Sequence, residues 1–301
     1  MAAPSLSSRP EASHHSAALY RASMFSLGAW LAKWLPLGVT RAFAGLLGRI
    51  YARQHPERVA CVLKNLRLLD AAIDERRAQK VYSEFGKTLA DYFYITTRSP
   101  AEAMKIIREE TGYAHLEEMR KKGIGGVIVT AHLGLFELGG MMMAYRGFPA
   151  AVLTLPEPSG ALTEWRAQAR RRWGTETIEV GEDAFVFLNI ARRLREGWLI
   201  AALIDRPNAP GPSPVRFPNG TAGFSSGILL VAQQCGVPVV PAAMVRMSNG
   251  YYRSQVFEPM MIESHGSRTE TLQFYSQRIA DILLPTLQEY PEQWYQFTPL
   301  N

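Results

Sequence analysis

Residues Val127 to Gly140 have the sequence VIVTAHLGLFELGG, and this stretch decides the fold. Its first three residues are β-branched and apolar, which predicts a buried strand of a parallel sheet. A helical pattern begins at Leu135, where apolar side chains start to recur every three or four positions. His132 and Glu137 lie at this change from strand to helix, which is where open α/β sheets place their sites.

His132 and Glu137 are the only acidic, basic or imidazole side chains between Lys122 and Arg146. A neutral imidazole can take a proton from an attacking hydroxyl group, while a carboxylate holds its other ring nitrogen. The HX4E spacing therefore predicts His132 as a general base and Glu137 as its partner. The alternative is that His132 only caps the helix and Glu137 is solvated. This short motif does not decide between the two interpretations.

Composition limits the classes of protein to consider. The chain has 301 residues, of which 47% are hydrophobic and 20% charged, so most of it should fold. A net charge of +6 favours anionic partners such as lipid headgroups or an acidic carrier protein. No nucleic-acid partner is expected, because no helix-turn-helix, zinc-finger or RNA-binding signature occurs. Cys61 and Cys235 are expected to be free thiols, and neither a metal site nor a cofactor is predicted.

The N-terminal part differs in composition from the rest. Residues 1–18 are small and polar, which predicts a disordered tail. Residues 19–55 are apolar and aromatic with widely spaced basic residues, and Pro36 interrupts them. We expect two amphipathic helices that lie on a membrane surface, with Trp30 and Trp34 at the lipid interface. The alternative is a helical hairpin packed on the core of the protein itself.

Residues 56–301 are expected to form an α/β domain. Strands are predicted at Ala150 to Leu155, Thr177 to Val180 and Trp198 to Ile204. Helices are predicted between them, at Leu162 to Trp173 and Ala184 to Arg195. Repeated strand and helix units of this kind predict a mostly parallel central sheet flanked by helices.

The segment after the last of these strands is a second candidate for function. Asp205 ends that strand and opens a loop rich in Pro and Gly, which holds Arg206, Phe217, Gly220 and Thr221. Long ordered loops at the carboxyl ends of sheet strands are usually functional, so these four residues are candidates for substrate binding. For Asp205 itself, a structural role as a helix or turn cap is the alternative.

Four segments resemble a known family in the order in which they occur. They are AHLGLFELGG, LIDRPNAPGPSPVRFPNGTA, GVPVVPAAMVR and YPEQWYQF. They resemble the late acyltransferases of lipid A biosynthesis, a branch of the wider glycerolipid acyltransferases with the HX4D/E motif. The resemblance extends from Leu19 to Phe297. It implies transfer of a fatty acyl group from acyl carrier protein or acyl-CoA to a hydroxyl group of a lipid, such as a glycolipid or lipid A precursor. It also implies the cytoplasmic face of the inner membrane as the location.

The resemblance also implies roles for individual residues. His132 would be the base and Glu137 its partner, without an acyl-enzyme, and amide groups around Gly134 would stabilise the oxyanion. Asp205 would match an acidic residue of the family. One arginine of the group Arg170, Arg171 and Arg172 would match a family arginine, although a solvated helix face is an equal alternative for this group.

The segment FPNGT resembles the phosphate-contacting FPEGT block of the glycerolipid branch. Asn219 stands where that block has Glu. The resemblance implies that Phe217, Gly220 and Thr221 contact the acceptor.

Two other functions compete with acyl transfer. A non-enzymatic, basic protein that binds membrane surfaces would explain the positive charge and the arginine clusters. A thioester or lipid hydrolase would use similar substrates, but the GxSxG turn that carries a nucleophilic serine does not occur.

Overall fold

The computed structural model describes residues 22–156, 159–181, 185–206 and 212–300. The strands are β1 (Ile107–Thr111), β2 (Gly126–Thr130), β3 (Ala150–Thr154), β4 (Thr175–Glu179), β5 (Leu199–Leu203), β6 (Ser213–Phe217), β7 (Gly220–Phe224), β8 (Val239–Arg246) and β9 (Tyr252–Val256). The α-helices are α1 (Ala22–Trp34), α2 (Leu37–Gln54), α3 (Pro56–Leu66), α4 (Glu75–Thr97), α5 (Pro100–Ala103), α6 (Tyr113–Lys121), α7 (Phe136–Tyr145), α8 (Gly160–Arg171), α9 (Phe185–Arg195), α10 (Gly227–Cys235) and α11 (Arg268–Glu289). Two 3-10 turns, Met104–Ile106 and Pro291–Gln293, complete this part of the chain. The predicted tail, residues 1–18, lies outside the described residues.

The central sheet has seven strands in the order β1-β9-β8-β2-β5-β3-β4. All neighbouring pairs are parallel except β8 and β9. The prediction of a mostly parallel sheet flanked by helices is confirmed. Strand β2 lies in the middle, between β5 and β8; Val127 and Val129 are fully buried on one face, and Ile128 is buried on the other. The strand is thus covered on both faces, as its continuous apolar run predicts.

The register between β2 and β5 positions the site. The two parallel strands pair from Gly126 opposite Leu199 to Thr130 opposite Leu203. They therefore end at the same level of the sheet. The first residues after β2 and the first residues after β5 therefore start side by side at this edge of the sheet.

Helices α1 and α2 pack on α4 through glycines. A methyl group added to Gly28 would lie 2.2 Å from the ring of Phe93, and one added to Gly48 would lie 2.1 Å from the carbonyl oxygen of Tyr82. A methyl group added to Gly86 of α4 would likewise lie 2.3 Å from the carbonyl oxygen of Ala44. The contacts show that α2 and α4 are antiparallel and unusually close, because glycine lacks the Cβ that would keep the helices apart.

The opposite faces of α1 and α2 are apolar and exposed. Their exposed side chains are Met24, Leu27, Trp30, Trp34, Val39, Phe43, Leu46, Leu47 and Ile50. Trp30 and Trp34 are the most accessible of them, at 59% and 68%. Within the described residues, each helix is too short or too polar to cross a membrane.

The segment after β5 is more regular than predicted. Instead of a single irregular loop it contains the antiparallel hairpin of β6 and β7, closed by Pro218 and Asn219. Val215 and Phe217 point inward and alternate with exposed residues, which is the period of a half-buried strand. The proline and glycine content of this segment led to the prediction of a loop. The segment forms strands instead, because its alternate side chains are buried.

Candidate active site

His132 and Asp205 meet at the carboxyl edge of the sheet. Each lies two residues beyond the end of its strand, and the register of β2 and β5 brings them together. The Nδ1 atom of His132 lies 2.7 Å from Oδ1 of Asp205, and the backbone N–H of His132 donates to Oδ2 over 2.8 Å. Asp205, rather than Glu137, is therefore the carboxylate that holds the imidazole ring.

Asp205 is fully buried and surrounded by donors. Its Oδ2 also accepts hydrogen bonds from Nε1 of Trp294, over 2.8 Å, and from Nε2 of Gln296, over 2.5 Å. Burial raises the pKa of Asp205, but the charge and hydrogen bonds of His132 outweigh it and hold the pKa below its ordinary value. An ionised Asp205 can only accept hydrogen bonds, so Nδ1 of His132 carries a proton, and in the neutral form of the ring the lone pair is on Nε2.

The segment around Trp294 fixes the turn after β2. The N–H of Tyr295 donates to the carbonyl of His132 over 2.8 Å, and the N–H of Gly134 donates to the carbonyl of Gln293 over 2.9 Å. Arg206 in turn donates to the carbonyl of Tyr295 over 2.8 Å. The amide of Gly134 is thus engaged, so oxyanion donors near it have to come from the start of α7.

The backbone conformation at position 134 requires a glycine. Its φ angle is +54°, and a methyl group on it would lie 2.1 Å from the carbonyl oxygen of Met244. Side chains other than glycine are strained in this conformation. The glycine therefore serves the shape of the turn that presents His132.

Glu137 forms an ion pair with two arginines of α8. Its carboxylate accepts from Nε of Arg170 over 2.9 Å and from Nη2 over 2.7 Å, and Nη2 of Arg166 lies 3.7 Å away. Burial raises the pKa of Glu137, but the two arginines and, more weakly, His132 lower it to about 2. The prediction that the ring of His132 donates a hydrogen bond to Glu137 is wrong, because this carboxylate accepts from Arg170 instead. A role of Glu137 in catalysis stays a prediction.

The three candidate arginines have different surroundings. Arg170 is buried against Glu137 and also donates to Oγ1 of Thr177. Arg171 is exposed and pairs with Glu164, whereas Arg172 donates to the carbonyl of Thr96. Consecutive helical residues point in different directions. The structure therefore brings only Arg170 to the group around Glu137.

The candidates on the β6–β7 hairpin lie further from the histidine. Phe217 is buried, with its ring centre 5.8 Å from that of Trp294. Gly220 and Thr221 are exposed at the tip, where the N–H of Asn219 donates to the carbonyl of Leu68. Phe217 thus supports the site through Trp294. Contact of these residues with substrate stays a prediction.

Sequence reasoning did not assign roles to Trp294, Gln296 and Arg166. A signal was present for the first two, since an indole N–H and an amide inside an apolar aromatic segment need buried partners. Among the described residues, no group of three acidic, histidine or cysteine side chains could hold a metal ion.

In this α/β sheet, an imidazole held by a carboxylate lies at the ends of two adjacent strands. This arrangement is typical of an enzyme that removes a proton from a hydroxyl group. The family described as bacterial lipid A biosynthesis acyltransferase matches residues 9–300. The chain belongs to this family and is an acyltransferase, with an acyl donor and a lipid acceptor as its substrates. In the comparison with curated proteins, no relative matches.

Proposed function

We propose that the enzyme transfers a fatty acyl group from a thioester of acyl carrier protein or coenzyme A to a hydroxyl group of a lipid A precursor or related glycolipid. The observation that carries this proposal is the His132–Asp205 pair at the carboxyl edge of the sheet. The side chain of His132 is 16% exposed, so the ring is accessible from outside while its partner is buried.

The geometry supports direct transfer. The acceptor hydroxyl attacks the thioester carbonyl as Nε2 of His132 takes its proton, and the ionised Asp205 stabilises the imidazolium that forms. Collapse of the tetrahedral intermediate breaks the carbon–sulfur bond, and the imidazolium returns the proton to the leaving thiolate. The first turn of α7 has amide groups without intrahelical partners, and these are suitable donors to the oxyanion.

In this proposal Glu137 acts through its charge. The electrostatic coupling between His132 and Glu137 is reciprocal, so a carboxylate whose pKa is lowered by the imidazolium also stabilises that imidazolium. Arg170 and Arg166 keep Glu137 ionised and fixed in place. Arg170 is therefore a positioning residue in the proposed mechanism.

The proposed place of action is the cytoplasmic face of the inner membrane. The exposed apolar faces of α1 and α2 suit the interface between water and acyl chains, where tryptophan is enriched. A site that takes one substrate from solution and the other from a bilayer needs such an attachment.

Acyl transfer by the purified protein tests the proposal. Acyl carrier protein and coenzyme A thioesters are compared as donors, a lipid A precursor in detergent is the acceptor, and products are identified by mass spectrometry. We expect an acylated acceptor with one of the donors and its loss in His132→Ala. Free fatty acid as the sole product would indicate a hydrolase, and an absence of turnover with every donor would favour a binding protein.

A further inference from the structure

A basic cleft lies between α2 and α4, and neither His132 nor Asp205 is among its lining residues. It has a volume of about 410 Å³. Its lining residues are Arg49, Arg53, Arg76, Gln79, Lys80, Ser83, Glu84, Lys87, Glu292 and Gln293. Five of these ten side chains are cationic and two are anionic.

The two carboxylates of the cleft are already paired. Glu84 accepts from Lys87 over 2.7 Å and is bonded to Arg246 as well. Glu292 pairs with Arg77, which is outside the lining, over 2.8 Å. The acidic charge within the cleft is therefore neutralised by other cations.

Four cations of the cleft remain without a counter-charge. Within the part of the chain that the structure describes, Arg49, Arg53, Arg76 and Lys80 have no carboxylate within 4.0 Å. They form two pairs with a spacing of four residues, one on each helix, and such pairs share a helix face. The four positive charges repel one another unless an anion is bound.

The close packing of the helices brings these charges together. Gly48 lies against the backbone of Tyr82, and Arg49 directly follows Gly48 while Lys80 lies two positions before Tyr82. Since α2 and α4 are antiparallel, Arg53 then faces the part of α4 that carries Arg76. A residue larger than glycine would separate the helices and widen the cleft. The glycines thus hold cations near each other although the charges alone would favour separation.

We propose that this cleft binds the phosphate group of a membrane lipid headgroup. Arginine recognises phosphate through two parallel hydrogen bonds, and a cleft of this volume admits a phosphate group but not a helix of a protein partner. The exposed apolar residues Leu46, Leu47 and Ile50 lie on α2 beside Arg49 and Arg53. If this face contacts the acyl chains, the cleft is at the depth of the headgroups. Only this orientation rests on the membrane attachment proposed above.

A soluble short-chain lipid separates the phosphate site from membrane attachment. The full chain is titrated with dihexanoyl phosphatidic acid, dihexanoyl phosphatidylcholine and inorganic phosphate at constant ionic strength. We compare the wild type with the cleft variant R49Q/R53Q/R76Q/K80Q. The control variant K105Q/R195Q/R268Q/R278Q removes the same number of charges of the same kinds from exposed positions outside the cleft.

We expect phosphatidic acid to bind the wild type about tenfold or more tightly than phosphatidylcholine does. The cleft variant should lose about tenfold or more of this affinity, and the control variant less than about twofold. The melting temperature of the cleft variant should equal or exceed that of the wild type, because repulsion is removed. Bound phosphatidic acid should raise the melting temperature of the wild type alone.

Several outcomes would overturn the proposal. Equal losses in both variants would show general charge attraction, and unchanged binding by the cleft variant would place the site elsewhere. Inorganic phosphate that binds as tightly as the lipid would make the cleft a site for free phosphate. If the cleft variant loses affinity for holo acyl carrier protein but keeps phosphatidic acid, the cleft is a carrier-protein site. Because acyl donors are absent from the lipid titrations, their result does not depend on the proposed transfer reaction.

Discussion

At the scale of single residues, the tautomer of His132 depends on which donors bind to each carboxylate oxygen of Asp205. Oδ2 of Asp205 accepts from the His132 amide, Trp294 and Gln296, so in Asp205→Asn the asparagine oxygen must occupy this position. The new NH2 group then faces Nδ1, which has to become an acceptor. The ring proton moves to Nε2, and the base is lost.

We therefore expect Asp205→Asn to lower kcat by roughly 10²- to 10⁴-fold with little change in fold. Steady-state acyl transfer measures the loss, and ¹⁵N NMR of the imidazole reports the tautomer. Asp281→Asn, on the exposed surface of α11, is the control. A variant with near-wild-type kcat, or one whose proton stays on Nδ1, would contradict the assignment of Asp205.

Glu137→Gln should lower the free energy of unfolding as well as the rate of acyl transfer. The change leaves the buried Arg170 without its counter-charge, and loss of one partner of a buried pair typically costs about 3–5 kcal/mol. Glu164→Gln removes the exposed partner of Arg171 and should leave stability nearly unchanged, because exposed ion pairs contribute little. Urea unfolding of both variants at neutral pH makes the comparison, and equal stabilities would contradict a structural role of the Glu137–Arg170 pair.

Because of Glu137, the stability of the folded protein should decrease at low pH. The pKa of Glu137 is about 2 in the folded chain against an ordinary value of 4.5. Its contribution to stability is therefore complete above pH 4.5 and decreases as the pH falls toward 2. The stability difference between wild type and Glu137→Gln should shrink below pH 4.5. A constant difference between pH 7 and pH 3 would argue against an ionised Glu137.

At the scale of elements, the turn from β2 to α7 depends on one glycine. Gly134→Ala places a methyl group against the carbonyl of Met244 at a positive φ angle, and we expect a loss of about 1–3 kcal/mol or more. Gly139→Ala in α7 has open space and should stabilise by about 0.5–1 kcal/mol. Thermal unfolding of the two variants distinguishes them. Similar melting temperatures would mean that the turn adapts.

The inner strands β2, β3 and β5 and the edge strand β4 were predictable from sequence, and the edge strand β1 was not. β2 and β5 are apolar runs because both faces are covered. β1, with the sequence IREET, exposes four of its five residues and is held by backbone pairing to β9, so it has no apolar pattern to detect. The order of strands is a tertiary property, which the sequence pattern does not contain.

The partner of His132 was missed for a related reason. A spacing of four residues shows that Glu137 could reach His132, but it does not show which way the side chain turns. Arg170 is 33 positions away and offers two charge-assisted hydrogen bonds. Asp205 was recognised at the end of its strand, yet its place beside His132 follows only from the adjacency of β2 and β5.

At the scale of the whole molecule, the exposed face of α1 and α2 should control membrane binding. The variant W30A/W34A/F43A/L47A removes apolar side chains from this face, and I124A/Y251A/M261A/F274A removes exposed apolar side chains elsewhere. We expect the first variant to bind vesicles roughly tenfold or more weakly than the wild type, and the second to match the wild type. Cosedimentation measures both. Equal binding by all three proteins would contradict attachment through this face.

The His132–Asp205 pair and its supporting donors come from three distant parts of the chain. His132 and Asp205 are 73 positions apart, and Trp294 and Gln296 follow about 90 positions later. Contacts of such long range form slowly, because much of the chain has to be in place first. During synthesis on the ribosome, His132 and Asp205 emerge well before the two side chains that donate to Oδ2 of Asp205. A growing chain can therefore contain the complete HX4E motif while Asp205 still lacks two of its hydrogen-bond donors, until the segment around Gln296 packs against the turn after β2.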